Sequence, residues 1–346
     1  MSRMEARRMK LLILLFWALL IWASSHTPQA AGFIDAVRNG NLLRQNSEAG
    51  GENAVAVWSQ AAAADKDGLL EAIREEAERT RIPAVNAKLD RVWKAIPGLN
   101  GREIDVEKSY RLASQFPSGT PVHYVYRELP PEVSLDNLGA QPIYRGNPGK
   151  RMISLMINVA WGDEYLVKML QTLQEQNVHA TFFFDGTWLS THLETAQAIK
   201  AAGHELSNHA YSHKNMSTLS RGRAQQEISK TEQLLKQIGV ENKLFAPPSG
   251  DFDQETVEIA HEMKLRTILW TIDTVDWKRP RPEDVLAKVS AKLEPGAMIL
   301  MHPTISSMMA LEGIIKESKK RGYALGTVSE LISPERVPEL ETSLGK

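Results

Sequence analysis

The sequence predicts an α/β fold: a distorted (β/α) barrel of about seven parallel strands, preceded by a small α+β module. Three observations predict it. Beyond residue 150, short apolar runs alternate with amphipathic stretches, as in repeated βα units. Those runs are continuously apolar rather than alternating, which marks strands covered on both faces. Just before the pattern changes, Pro142, Gly146, Pro148 and Gly149 punctuate the chain as a boundary would.

The elements follow in order. Arg3, Arg7, Arg8 and Lys10 precede an apolar run over 11–23. Its 13 residues match the hydrophobic region of an export signal and fall short of a membrane span of roughly 20. Small residues at Ala23, Ser24 and Ser25, or at Ala30 and Ala31, offer cleavage points, and an uncleaved anchor is the alternative. Residues 1–31 are therefore expected to be a signal peptide or anchor. The rest is expected outside the cytoplasmic membrane, touching it only through this segment.

Residues 32–149 are expected to hold a linker and then the small module. Leu69, Leu70, Ile73 and Ala77 at helical spacing predict a helix over 66–81, ended by Pro83. A second helix is predicted over 85–96, stopped by Pro97-Gly98. Alternation over 122–126 predicts a strand that Pro130-Pro131 breaks. Within 150–332, strands are expected at 153–159, 180–184, 204–207, 244–246, 267–271, 298–301 and 324–327. Helices at 165–176, 193–202, 223–238, 255–263, 283–293 and 311–321 separate most of them, and 333–346 forms a tail.

Composition narrows the function. The 41 basic and 42 acidic residues give a net charge of −1, which argues against a non-specific nucleic-acid binder. With 42% hydrophobic and 24% charged residues, the chain has the makings of a packed core. It contains no cysteine, which excludes disulfides, thiolate metal sites and thiol nucleophiles. Oligomeric state is not readable from any of this.

In parallel barrels, function sits at the C-terminal ends of the strands. Those ends carry Asn158 to Asp163, Asp185, His209 with His213, the turn 245–250, Asp273 with Asp276-Trp277, and His302. Two histidines four residues apart share one face of a helical turn, a common metal-ligand spacing, with surface or core histidines as the alternative.

These residues fall into motifs. Asn208-His209-Ala210-Tyr211-Ser212-His213 resembles the H-[ST]-x-x-H motif of polysaccharide deacetylases, the NodB homology domain or carbohydrate esterase family four. Phe245-Ala246-Pro247-Pro248-Ser249-Gly250 resembles its F-R-P-P-Y-G turn, Asp273-Thr274-Val275-Asp276-Trp277 matches D-x-x-D-W, and Leu300-Met301-His302 matches L-x-H. Together with Ile157-Asn158-Val159-Ala160-Trp161-Gly162, the export signal and the N-terminal module, they resemble the sporulation-associated subfamily of the YlxY type.

The resemblance implies a NodB-type barrel that hydrolyses a non-peptide C–N amide bond in N-acetylated cell-wall glycan, peptidoglycan or chitin-like. It implies a divalent metal, usually zinc, held by His209 and His213. It also implies His302 as the acid, with Asp276 holding its other ring nitrogen. Amides are poor electrophiles with poor leaving groups, so both metal and acid are needed.

The departures matter equally. The family's T-F-D-D-G motif aligns with Asn158-Val159-Ala160-Trp161-Gly162, which puts Ala160 at the base position and Trp161 at a metal-ligand position. Ala246 replaces the Arg that orients the base, and Ser249 replaces the turn's Tyr. Loss of a general base alone costs about 10²–10⁴ in rate.

Asp185, after the apolar run 181–184, is a candidate displaced base or ligand; the alternative is a turn Asp before Gly186. Trp161, Trp188 and Trp277 are candidate sugar-stacking rings, or core. Three readings follow: a metal-dependent N-deacetylase with a degenerate site, an exported glycan-binding pseudoenzyme, and a partner-binding protein with a role in sporulation or the envelope.

Overall fold

The computed structural model describes residues 67–117 and 120–337. The expected export segment 1–31, the linker that follows it and the end of the tail lie outside the described residues. Cα packing divides the chain into two units, 1–72 with 117–119, and 73–116 with 120–346. The described part of the first unit is helical over 67–72, and helical backbone (α1) covers 67–80.

The second unit opens with β1 (Lys88–Asp90) and β2 (Lys94–Ile96), an antiparallel hairpin where a helix over 85–96 was expected. Tertiary pairing overrides the local propensity. Val85 bridges Leu99, Lys94 bridges Ile143, and the Asp90 carboxylate accepts the backbone N–H groups of Val92 and Trp93, both at 2.8 Å. The strand expected over 122–126 is also displaced. β3 (Gly101–Ile104) pairs instead with β4 (Tyr126–Leu129), and α2 (Val106–Ala113) lies between them in sequence.

The alternating pattern beyond 150 holds. In order come β5 (Met152–Val159), α3 (Asp163–Glu175), β6 (Thr181–Phe184), α4 (Gly186–Thr191), α5 (Leu193–Ala201), β7 (Glu205–Asn208), α6 (Arg221–Gln237) and β8 (Leu244–Phe245). Then follow α7 (Gln254–Glu262), β9 (Arg266–Thr267), β10 (Ile272–Asp273), α8 (Pro282–Lys292), β11 (Met298–Met301), α9 (Ile305–Lys320), β12 (Ala324–Gly326) and α10 (Val328–Ile332). Helix α4 was not expected. The single strand expected at 267–271 is two short ones, and α9 begins at 305 because the Thr304 side chain caps it by accepting from Ser307 N.

Seven parallel strands run β10-β11-β5-β6-β7-β8-β9, with β12 added on β5, and curl into a half-barrel. Period-two alternation splits the core. Ile153, Leu155, Ile157 and Val159 of β5, with Phe182 and Phe184 of β6, face the outer helices. Met156 and Phe183 face the inner cluster, which Ile143 and α10 complete. Burying each such side chain contributes roughly 1.5–3 kcal/mol. The same alternation carries polar residues onto the inner face at the strand ends.

Candidate functional site

A cavity of about 380 Å³ opens at the C-terminal ends of the strands. Asn158 lines it from the end of β5, Ala160 and Trp161 just after that strand, His209 and His213 after β7, and Ser249 after β8. Trp270, Asp273, Trp277, Leu300 and His302 complete the lining from the β10–β11 side. Of the residues expected there, Trp161, Trp277, Ser249, His209, His213 and His302 all reach this one pocket.

The β11 side is tightly held. Asp276 is fully buried and accepts from His302 N at 2.6 Å, from His302 Nδ1–H at 2.8 Å and from the Ser307 hydroxyl. Burial pushes the Asp276 carboxyl up, but the hydrogen bonds and charge of His302, with help from Ser307, hold it below the ordinary range. With Nδ1–H committed to Asp276, the other ring nitrogen of His302, Nε2, is left for the cavity that the ring lines. Val275, a β-branched residue at φ 55°, stores backbone strain in the turn between Asp273 and Asp276. The Asp273 carboxylate braces that turn by accepting from Val275 N at 2.8 Å.

His209 is buried, and its Nδ1–H donates to the Ala246 carbonyl at 2.7 Å. Its Nε2 therefore accepts, and the Asn158 Nδ2–H group lies 3.4 Å from it. Burial, then the neighbouring His213, pushes the His209 imidazole down to about 3. The two rings meet edge to face at 5.2 Å.

Trp161 is about half exposed and stacks nearly parallel over the His302 ring, centroids 6.1 Å apart. Gly162 makes this approach feasible. Its φ is 92°, and a Cβ there would meet Pro303 O at 2.1 Å.

Two other candidates, each read with an alternative, lie outside this lining. Trp188 is core: it stacks on Phe184 and His192, and its Nε1–H donates to Asp163 at 2.6 Å. Asp185 is buried and accepts from Trp188 N at 3.0 Å as the cap of α4, with burial pushing its carboxyl up. Asp273, Asn158 and Trp270 were not proposed as site residues. Asp273 and Asn158 were legible as strand-end positions, while Trp270 belongs to the unexpected break between β9 and β10.

The metal that the resemblance implies does not fit the side chains present. His209 and His213 stand together, and Trp161, which the resemblance aligns with a metal-ligand position, has no side-chain atom that coordinates a hard cation. Among the described residues no three His, Cys, Asp or Glu side chains gather to hold a metal ion.

A family model described as polysaccharide deacetylase matches residues 145–268. The YlxY protein of Bacillus subtilis is 44% identical over 275 residues, 79% of this chain and 86% of that protein. The chain thus belongs to the polysaccharide deacetylase family, carbohydrate esterase family four, whose members are generally metal-dependent. A peptidoglycan-N-acetylglucosamine deacetylase of Bacillus cereus is 26% identical over 257 residues, 68% of this chain and 94% of that one.

Among solved structures, a family-four pseudoenzyme from Bacillus anthracis is similar at TM-score 0.71 and 42% identity, covering 78% of this chain and 96% of that one. A mutant of that pseudoenzyme with restored enzymatic activity is similar at TM-score 0.71 and 41% identity, covering 78% and 99%.

Proposed function

We propose that this chain is an exported envelope protein that binds cell-wall glycan, peptidoglycan or chitin-like, in a deacetylase pocket that no longer hydrolyses it. The observation that carries this reading is Trp161 stacked over His302 beside Ala160, where the family resemblance calls for two carboxylates. Zinc, the usual family metal, would find His209 and His213 and, among the described residues, no third ligand. Exposed Trp161 and Trp277 at the mouth offer the faces on which sugar rings stack. Relatives named as peptidoglycan deacetylases, and a similar structure described as a pseudoenzyme, support both halves of the reading. The export segment and the YlxY-type resemblance favour a role at the envelope during sporulation.

The test incubates N-acetylglucosamine oligomers and peptidoglycan glycan strands with the protein, with and without added zinc or cobalt. Acetate release and calorimetric binding are then followed. Binding without acetate is the expected result, and metal-dependent acetate release refutes it. The intact His302–Asp276 pair favours one second reading, residual N-deacetylation with Asp185 as displaced base or ligand. Acetate release that Asp185→Ala abolishes would establish that alternative.

A further inference from the structure

The pocket's polar groups are unevenly divided between donors and acceptors. Asp273 spends one oxygen on Val275 N; no other hydrogen bond to its carboxylate is recorded among the described residues. Asn158 Oδ1 is buried and has no hydrogen-bond partner, while the same amide's Nδ2–H points to His209. His302 commits Nδ1–H to Asp276 and leaves Nε2 to the cavity. Against these groups stand the Ser249 hydroxyl, the indole N–H groups and the His213 ring. No Lys or Arg lines the cavity among the described residues, so Asp273 gives the lining its one formal charge outside the histidines.

Such a cavity discriminates between two forms of the same sugar. An acetamide brings a carbonyl oxygen, a further acceptor, toward the Asp273 carboxylate. A primary ammonium brings three donors, no acceptor and a positive charge. It answers the Asp273 carboxylate through a charge-assisted bond and leaves donors over for a ring nitrogen of the lining. Aromatic faces reinforce the preference. Lys278 Nζ already lies 4.9 Å from the Trp277 ring centroid, outside the cavity lining, so that ring accepts a cation.

We infer that this pocket recognises the free amino group of a de-N-acetylated glycan, a glucosamine-type sugar, in preference to the N-acetylated form. The inference rests on the glycan-binding reading and specifies its ligand. A protein of this kind would bind the product of an active deacetylase rather than its substrate.

The experiment is calorimetry on the exported chain, freed of metal by a chelator and dialysed. Glucosamine tetramer and N-acetylglucosamine tetramer are titrated at equal ionic strength. The glucosamine tetramer should bind about ten-fold tighter or more. Asp273→Asn, which keeps an oxygen for Val275 N, should erase the preference. Asp284→Asn, at an exposed carboxylate paired with Arg281 by a 2.8 Å contact, should retain it as a control for general charge.

Equal or tighter binding of the N-acetylated tetramer overturns the inference and leaves glycan binding standing. A preference that survives Asp273→Asn, or is lost with Asp284→Asn, overturns the assignment to this pocket. Binding of neither tetramer overturns the glycan-binding reading itself.

Discussion

Two walls of one pocket have met different fates. On the β10–β11 wall, Asp276 and His302 keep short hydrogen bonds, full burial of the carboxylate and a third bond from Ser307. On the β5 wall, Ala160 and Trp161 stand where the family resemblance calls for a base and a ligand. The difference is physical. Asp276 holds the 276 turn to β11 and α9, so its loss would strip the partners from three donors, two of them on His302. Carboxylates at 160 and 161 would face an open cavity, and with Ala246 in place of the Arg that orients the base in the family, their absence leaves no such donor orphaned. Chemistry can lapse where the fold does not depend on it.

The sharpest way to test this contrast is to restore the lapsed wall. Ala160→Asp combined with Trp161→Asp should confer zinc retention on dialysis. It should also raise acetate release from N-acetylglucosamine oligomers at least ~10²-fold above the parent. A double variant that stays folded, keeps no zinc and releases no acetate would show that the loss extends beyond this wall.

Damage to the retained wall should instead register as stability. Asp276→Ala should cost about 3 kcal/mol in urea unfolding. The same wall predicts acid behaviour. Asp276 titrates below its unfolded value, so its contribution is present above about pH 4 and is lost as pH falls through the lower folded value.

The buried imidazoles act earlier. Burial pushes His209 to about 3 and, with His179 beside it, His204 to about 4. Below about pH 6.5 the unfolded chain takes up protons that these folded rings refuse, so stability should fall steadily from pH 6.5 toward 4. His204→Gln should flatten that slope. An unchanged profile would remove these rings as its cause.

Much of the pocket was legible in the sequence because the barrel obeys simple alternation. A parallel sheet with two covered faces puts every second residue inward, so His209, Asp273 and His302 could be placed from strand ends alone. What was not legible depended on distant pairing. The β1–β2 hairpin reads locally as helix and is decided by Leu99 and Ile143. Trp188 allowed a sugar-stacking or a core reading, and Phe184, His192 and Asp163 draw it into the core. Asp185 allowed two readings, a turn Asp before Gly186 and a displaced base or ligand, and its cap to Trp188 N depends on the unexpected helix α4. Losing that bond in Asp185→Ala should cost about 1 kcal/mol, read from urea unfolding.

The smallest effect separates the walls most directly. Trp161 is half exposed and stacks on His302 of the retained wall. Trp161→Ala should therefore leave unfolding stability within about 0.5 kcal/mol of the parent, as surface changes usually do. If the ring is a sugar platform, glycan affinity should drop by roughly 3- to 10-fold, the worth of one aromatic contact. If it only plugs the vacated ligand position, its removal opens the cavity and affinity should hold or rise. Stability and affinity moving together would mean that Trp161 is part of the fold, and the two walls would then be one.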